Sequence, residues 1–179
     1  MKKLIALLMM LVLVTGAALA EQTPFTFDDQ NPGYEGEWVE LKDGNLKIYL
    51  PTGFSLPMGI APNLAESGVF TAIYSSPDSN STYSLTKTPL STMPSAAPLT
   101  IESIMETYKT MGDENVALEN INSTDWVTTF DKNMGSITFT SVDKDAYYTV
   151  VFVTTNSDNM DETLTAARKV LMSLTLLEK

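Results

Sequence analysis

Side chains that commonly perform catalysis are few in this sequence of 179 residues, which contains neither histidine nor cysteine. A serine nucleophile activated by histidine, a thiol nucleophile and an ordinary zinc site are therefore excluded, because each requires one of these two residue types. The chemistry that remains depends on serine, lysine and carboxyl groups. Three patterns of such residues can be considered.

One pattern combines a serine with a lysine. Ser84-Leu-Thr-Lys87 matches the S-x-x-K motif of penicillin-recognising enzymes, and Ser157-Asp-Asn159 matches their S-D-N motif. The chemistry needs the serine and the lysine side by side, as on one helical turn. Here they lie in a predicted strand, where a separation of three residues places them on opposite faces. We interpret both matches as chance.

A second pattern is typical of calcium loops. Residues 78–82 (DSNST) and 131–135 (DKNMG) place oxygen-bearing side chains at alternate positions. Neither has the closing glutamate of such a loop, because Pro89 and Val142 occupy those positions, and both segments are typical of hairpin turns. A further acidic group comprises Asp158, Asp161 and Glu162. Helix capping explains this group without a metal, so metal binding stays open, with calcium as the candidate.

Paired carboxyl groups are the third pattern. The 22 acidic residues leave open a hydrolase that acts on envelope or extracellular glycans through two carboxyl groups facing each other across a cleft. Solvated surface acids are the simpler interpretation. Trp126, Thr128 and Phe130 alternate along one predicted strand and could support a sugar ring, although such residues more often pack beneath a helix. We predict no catalytic residue and no bound cofactor.

The element around which the fold is organised is residues 146–155, which contain no charge, glycine or proline. Their β-branched and aromatic side chains favour a strand. Successive side chains alternate between two faces, so that Val151 lies on one face and Phe152 on the other. Both faces are largely apolar, which predicts a central strand covered on each side.

The remaining pattern predicts hairpins, a helix, a meander and a second helix. Further strands are predicted at residues 38–41, 46–50, 68–75, 82–88, 116–121, 124–130 and 136–142. Helices are predicted at residues 101–111, with Thr100 as N-cap, and at 160–176, with Asn159 as N-cap and Glu162 as its capping-box partner. We also predict a helical turn at residues 61–66 and an irregular, proline-rich connection at 87–99. This order favours an α/β (α+β) fold with one antiparallel sheet of about six to seven strands flanked by helices.

The first twenty residues are typical of a secretory signal peptide. Lys2 and Lys3 precede a short apolar run, and small residues follow up to Ala20. We expect cleavage after Ala20 and a secreted or periplasmic protein without a lipid anchor, the alternative being an uncleaved N-terminal anchor. Residues 21–37 are predicted to form a flexible polar leader and residues 38–179 a single domain.

The charge of the chain limits its partners. Removal of Lys2 and Lys3 changes the formal net charge from −11 to −13. Such a surface repels phosphate backbones and anionic lipid headgroups, so we expect no nucleic-acid partner and no membrane attachment after cleavage. A protein or a glycan remains as the partner. The oligomeric state is not indicated.

Two short segments resemble the PsbP-like family. Ile48-Tyr-Leu-Pro-Thr-Gly-Phe54 resembles its early strand followed by a Pro-x-Gly-aromatic turn, and Val170-Leu-Met-Ser-Leu174 is similar to its terminal helix. Its fold is shared by the extrinsic oxygen-evolving protein of photosystem II and a Ran-binding nuclear import factor. The resemblance extends over about residues 38–176. It implies an α/β/α sandwich with a central antiparallel sheet in a bacterial exported protein, and it transfers no functional residue.

Together these features favour an exported, non-catalytic binding or accessory domain. That hypothesis predicts an exposed patch on a sheet edge or in residues 87–99. A carboxylate-dependent hydrolase instead predicts a cleft where two carboxyl groups converge, one of them with a raised pKa. The third alternative is a calcium-stabilised surface module.

Overall fold

The computed structural model describes residues 25–56, 63–64, 68–93, 98–113, 115–156 and 158–177. The described strands are β1 (Gly36–Leu41), β2 (Leu46–Pro51), β3 (Asn63–Leu64), β4 (Val69–Ser75), β5 (Ser81–Pro89), β6 (Ala117–Ile121), β7 (Thr124–Asp131), β8 (Ser136–Val142), β9 (Ala146–Thr154) and β10 (Thr175–Leu176). The helices are α1 (Ile101–Thr110) and α2 (Met160–Leu171), and Leu90–Thr92 forms a short 3-10 helix. The predicted signal peptide lies outside the described residues. Within those residues, no helix has the length and apolar character needed to cross a membrane.

The larger of two sheets has seven strands in the order β3-β4-β5-β9-β8-β7-β6. All its neighbouring strands are antiparallel. Strand β9 lies at its centre, where Val150 pairs with Leu85 of β5 and with Phe139 of β8. The predicted antiparallel sheet of six to seven strands and the central place of residues 146–155 are therefore confirmed.

The first hairpin belongs to a separate sheet, so the prediction of a single sheet is wrong. Strands β1, β2 and β10 form a three-stranded sheet in which β2 is central. Thr175 and Leu176 were predicted as the end of the last helix, but they pair with Lys47 and Leu46. Strand β2 thus has β1 on one side and β10 on the other, and it belongs to the small sheet and not to the large one.

The turn of the first hairpin lies at the predicted Asp-Gly signal. Two residues of the turn meet two different requirements, a left-handed backbone and a close contact. Asn45 adopts the left-handed conformation, with φ of 58°. Gly44 is needed for close approach, because a Cβ atom there would lie 2.7 Å from the ring of Phe70. The turn thus brings the small sheet against the edge of the large one.

Helix α2 ends at Leu171 because the following residues bond to strand β2. The buried hydroxyl of Ser173 donates to Val170 O (2.6 Å) and accepts from Tyr49 N (2.8 Å). These two bonds turn the chain out of the helix and hold it beside β2. They also give a physical reason for the serine in the Val170–Leu174 segment.

The two helices begin differently. Thr100 forms the predicted N-cap of α1: its hydroxyl accepts from Ser103 N at 3.2 Å, and the Ser103 hydroxyl accepts from Thr100 N at 2.9 Å. Asn159 precedes α2, but its side chain makes no capping hydrogen bond, so the predicted capping box with Glu162 is wrong. The backbone of Asn159, with ψ of 55°, lacks the extended conformation that a capping side chain needs.

The main core lies between the inner face of the large sheet, the small sheet and α2. Its largest fully buried members are Leu46, Ile48, Leu50, Tyr83, Leu85, Ile121, Trp126, Ile137, Phe139, Tyr148, Leu164 and Leu171. Helix α1 packs on the outer face mainly over β7 and β8, where the Tyr108 hydroxyl lies 3.0 Å from the Thr140 hydroxyl. On β9, Phe152 on the inner face is buried, whereas Val153 on the outer face is 39% exposed. The prediction that this strand is covered on both faces is therefore fully confirmed only for the inner face.

Three predicted irregular or local segments differ from the structure. Gly36 and Glu37 belong to β1, so the predicted leader ends too late. Asn63 and Leu64, the described part of the predicted helical turn, form β3 because they pair with β4. The predicted connection at 87–99 begins inside β5, which continues to Pro89.

The described part of the predicted leader contacts the folded chain and is not a free segment. Phe25 N donates to Asn120 O at 2.9 Å, and Asn122 N donates to Phe25 O at 2.9 Å. Phe27 and Tyr34 both contact the ring of Tyr49. Apolar side chains therefore anchor a segment whose composition is mostly polar.

Candidate functional site

An apolar cleft of about 400 Å³ lies between helix α2 and the chain on either side of the small sheet. Four aromatic residues line it, together with five residues of α2: Tyr34, Phe54, Tyr83, Phe152, Thr163, Ala166, Ala167, Lys169 and Val170. We call this site the aromatic cleft. Lys169 is the charged residue among the described residues of its lining.

The turn after β2 places Phe54 in the aromatic cleft. Gly53 has φ of 91°, a conformation that suits glycine, and Phe54 N donates to Pro51 O at 3.2 Å. The Phe54 ring then lies 5.1 Å from the ring of Tyr83. The Pro-x-Gly-aromatic segment therefore positions a ring of the cleft.

The floor of the aromatic cleft is formed by two neighbouring strands. Tyr83 of β5 and Phe152 of β9 are directly opposite in register, and their ring centroids are 4.8 Å apart. Both side chains are almost completely buried, with exposed fractions of 2% and 3%. Because they belong to neighbouring strands near the centre of the large sheet, the floor of the cleft is part of the main core.

Tyr34 connects the aromatic cleft to a second group of rings on the small sheet. Its hydroxyl donates to Tyr49 O at 3.0 Å, and its ring lies 5.4 Å from that of Tyr49. Trp38 lies directly opposite Tyr49 with its ring at 5.4 Å, and Lys47 Nζ lies 4.1 Å from the Trp38 ring centroid. These half-buried rings extend an aromatic surface beyond the cleft.

Burial determines the ionisation of the cleft tyrosines. Desolvation raises the pKa of Tyr83 well above its ordinary value, and the neighbouring Tyr34 adds to the effect. Desolvation likewise raises the pKa of Tyr34, with a further contribution from Tyr49. Both hydroxyls therefore stay protonated in the folded protein at pH values where an exposed tyrosine ionises.

We expect the free energy of unfolding to fall as the pH rises above 10. Near pH 10 the hydroxyls of Tyr34 and Tyr83 lose their protons in the unfolded chain but keep them in the folded chain. Their contribution to the free energy of unfolding is therefore fully present below pH 10 and is lost as the pH rises above it. Each such tyrosine contributes a slope of roughly 1.4 kcal/mol per pH unit. Urea unfolding at pH 8, 10 and 11 measures this slope.

Tyr83→Phe is the control for that titration. This variant should reduce the pH dependence of the free energy of unfolding by roughly 1.4 kcal/mol per pH unit, the contribution of one tyrosine. Its unfolding transition at pH 8 should remain cooperative. A free energy of unfolding that does not change between pH 10 and pH 11 would contradict the expectation for both residues.

The serine and the lysine of the S-x-x-K match lie on opposite faces of strand β5, as expected. Ser84 pairs with Val151, on the outer face, whereas Lys87 pairs with Tyr148, on the inner face. Lys87 Nζ instead approaches Asp43 O at 3.5 Å. Ser157 lies outside the described residues.

The two calcium-like loops are hairpin turns. Asp78 Oδ1 accepts from the Ser76 hydroxyl (2.5 Å) and from Asn80 N (3.1 Å), and these bonds lower the pKa of Asp78. Asp131 Oδ1 accepts from Asn133 N at 2.8 Å and from Met134 N at 3.0 Å. Both carboxyl groups are therefore engaged in stabilising turns, which confirms the turn interpretation.

The acidic group before α2 is shallow and partly paired. Asp161 Oδ1 lies 2.8 Å from Lys132 Nζ, and both side chains are largely exposed. Asp158 and Glu162 line the same surface. Within the described ranges, no group of three or more acidic side chains is arranged to hold a metal ion.

The row of residues proposed as a sugar platform faces the core. Trp126 is 0% exposed and Thr128 is 2% exposed. The Trp126 ring packs against Phe139, at 6.4 Å between centroids, in the same core cluster as Leu164 of α2. Phe130 is half-buried and packs against the same cluster. The interpretation that the row packs into the core is therefore confirmed for Trp126 and Thr128, on which a sugar ring cannot stack.

Sequence reasoning did not identify the aromatic cleft. Its rings come from residues 34, 54, 83 and 152, which are too far apart in the chain to form a motif. One local signal existed, the Pro-x-Gly-aromatic turn that ends at Phe54. The contribution of Tyr83 becomes visible only when β5 is paired with β9.

No protein family and no curated protein matches this sequence. Among solved structures, the chain is similar to the solution structure of cyanobacterial PsbP (CyanoP) from Synechocystis sp. PCC 6803, with a TM-score of 0.51 and 14% identity. The similarity covers 79% of this chain and 92% of that chain. At this identity the similarity concerns the fold alone. The fold is PsbP-like, as the two sequence segments implied.

Proposed function

We propose that this protein is an exported, non-catalytic binding or accessory domain of the PsbP-like family, and that the aromatic cleft receives an apolar group of its partner. The observation that carries this proposal is the cleft itself, with four aromatic side chains around a volume of about 400 Å³. Sites that bind small apolar groups in proteins usually have a volume of about 300–1,000 Å³ and a mainly hydrophobic lining.

The lining of the cleft favours binding over hydrolysis. A hydrolase that uses carboxyl groups needs two of them facing its substrate. The described lining of the aromatic cleft has Lys169 as its charged side chain and otherwise consists of aromatic, aliphatic, small and hydroxyl-bearing residues. Such a surface can exclude water from an apolar group but offers no acid–base pair.

A protein is the partner that this surface suits best. Tyrosine and tryptophan are enriched where protein partners insert their main anchoring residues, and Tyr34 joins the cleft to Tyr49 and Trp38 on the small sheet. An aliphatic or aromatic side chain of the partner would fill the cleft. The acidic character of the chain favours a basic rim around that side chain. A glycan is the alternative, because sugar rings also stack on aromatic residues.

Filling the cleft should prevent binding of an apolar probe. Ala166→Trp places a large ring at the cleft, so it should lower the fluorescence enhancement of 1-anilinonaphthalene-8-sulfonate at least fivefold. Thr165→Trp is the matched control, since Thr165 is exposed on the same helix and is not part of the lining. Equal dye binding by the two variants, with both melting cooperatively, would contradict the cleft as the binding site.

Candidate partners can be compared by thermal melting of residues 21–179 with basic proteins, glycans and cell-wall fragments. A ligand at 100 times its Kd stabilises the folded state by roughly 2.7 kcal/mol, which gives a clear rise in Tm. The Ala166→Trp variant should show no rise with the true partner. A rise that is the same in this variant would place the partner elsewhere on the surface.

A further inference from the structure

Three buried polar atoms lack a hydrogen-bond partner within the described part of the chain: Glu119 Oε2, Trp126 Nε1 and Thr128 Oγ1. They belong to one corner of the inner face. Glu119 of β6 lies directly opposite Trp126 of β7, and Thr128 is two residues further along β7, on the same face as Trp126. Buried polar atoms in folded proteins are nearly always hydrogen-bonded, so three in one corner require an explanation.

Helix α2 closes this corner. Arg168 of α2 forms an ion pair with Glu119 through Oε1, the carboxylate oxygen that has a partner. The Glu119 side chain is only 16% exposed, and its other oxygen is buried. Desolvation lowers the pKa of Arg168, which is consistent with its position at the boundary of the core. The three unpartnered atoms are thus buried next to a carboxylate that joins the edge strand β6 to α2.

The hydrogen-bonding types of these atoms select the molecule that could join them. The indole nitrogen of Trp126 only donates, the carboxylate of Glu119 only accepts, and the Thr128 hydroxyl does both. A metal ion or an ammonium ion has no acceptor for the indole N–H. A halide ion has no donor for the carboxylate. Water has both and is small enough for a closed corner.

We propose that one internal water molecule is bound beneath helix α2. It accepts a hydrogen bond from Trp126 Nε1, donates one to Glu119 Oε2 and shares a third with Thr128 Oγ1. Buried waters typically make about three hydrogen bonds to groups that otherwise have no partner. Through Glu119 and Arg168, this water connects the edge of the large sheet to the helix that lines the aromatic cleft.

The water can be observed at the indole proton of Trp126 by NMR spectroscopy of the intact protein. A water molecule that stays longer than the tumbling time of the protein gives NOE and ROE cross-peaks of opposite sign, whereas proton exchange with bulk water gives the same sign. The sequence has two tryptophans, so half-buried Trp38 is the internal control. We expect opposite signs for Trp126 and no long-lived water at Trp38.

Variants and a crystal structure complete the test. Trp126→Phe should abolish the cross-peak and Trp38→Phe should leave it unchanged, which assigns it. A crystal structure at about 1.5 Å resolution should show one water within hydrogen-bond distance of all three atoms. A direct bond from Trp126 Nε1 to Glu119 Oε2, or an indole proton without a long-lived water neighbour, would overturn the proposal.

Discussion

Replacement of Phe152 by alanine is expected to destabilise the folded protein by about 3–5 kcal/mol, as is usual for a buried phenylalanine in a well-packed core. Phe152 is 3% exposed, and its ring packs 4.8 Å from that of Tyr83. Its removal takes away both buried apolar surface and the floor of the aromatic cleft. The free energy of unfolding from urea titration measures the loss.

Val151→Ala is the matched control, because it changes the next residue of the same strand. Val151 lies on the outer face of β9 and is half-buried, so a loss of about 1 kcal/mol or less is expected. Similar losses for the two variants would contradict the packing, since they would mean that both faces of β9 are covered to the same degree.

Replacement of Asn122 by alanine should cost about 2–3 kcal/mol, because it leaves a partly buried donor and acceptor without partners. The Asn122 side chain donates to Leu174 O at 2.8 Å and accepts from Phe27 N at 3.2 Å. Its backbone also has φ of 50°, which asparagine tolerates better than alanine. One side chain thereby holds the N-terminal segment, the β6–β7 turn and the segment after α2 together.

Asn120→Ala serves as the comparison for that variant. Asn120 is nearby in β6, but its side chain makes one exposed hydrogen bond, to Asp125 Oδ1 at 2.6 Å. Its removal should cost less than about 1 kcal/mol. If the two variants unfold at the same urea concentration, Asn122 does not join the three segments as described.

Elements that depend on local pattern were predictable from the sequence. The alternation in residues 146–155 indicated strand β9, and the Asp-Gly turn indicated the first hairpin, because both signals lie within a few neighbouring residues. Thr100 was predictable as an N-cap for the same reason. The two motifs that resembled the PsbP-like family belong to this class too, since each forms a local turn or helix end.

Features that depend on distant pairing were not predictable. Thr175 and Leu176 continue the helical spacing of α2, and only their pairing with β2 makes them a strand. The same limitation applies to the candidate site. Tyr83 and Phe152 meet only because β5 and β9 are neighbours in the sheet, and Tyr34 lies in a segment that composition describes as polar.

The late position of β10 in the chain has a consequence for the order of folding. Strand β2 pairs with β1, which directly precedes it in the chain, and with β10, which follows all the other described strands and helices. Until residues as far as Leu176 have left the ribosome, Leu46, Ile48 and Leu50 have neither α2 nor β10 beside them. The small sheet is therefore completed only by a contact between residues that are far apart in the chain, and such contacts form slowly.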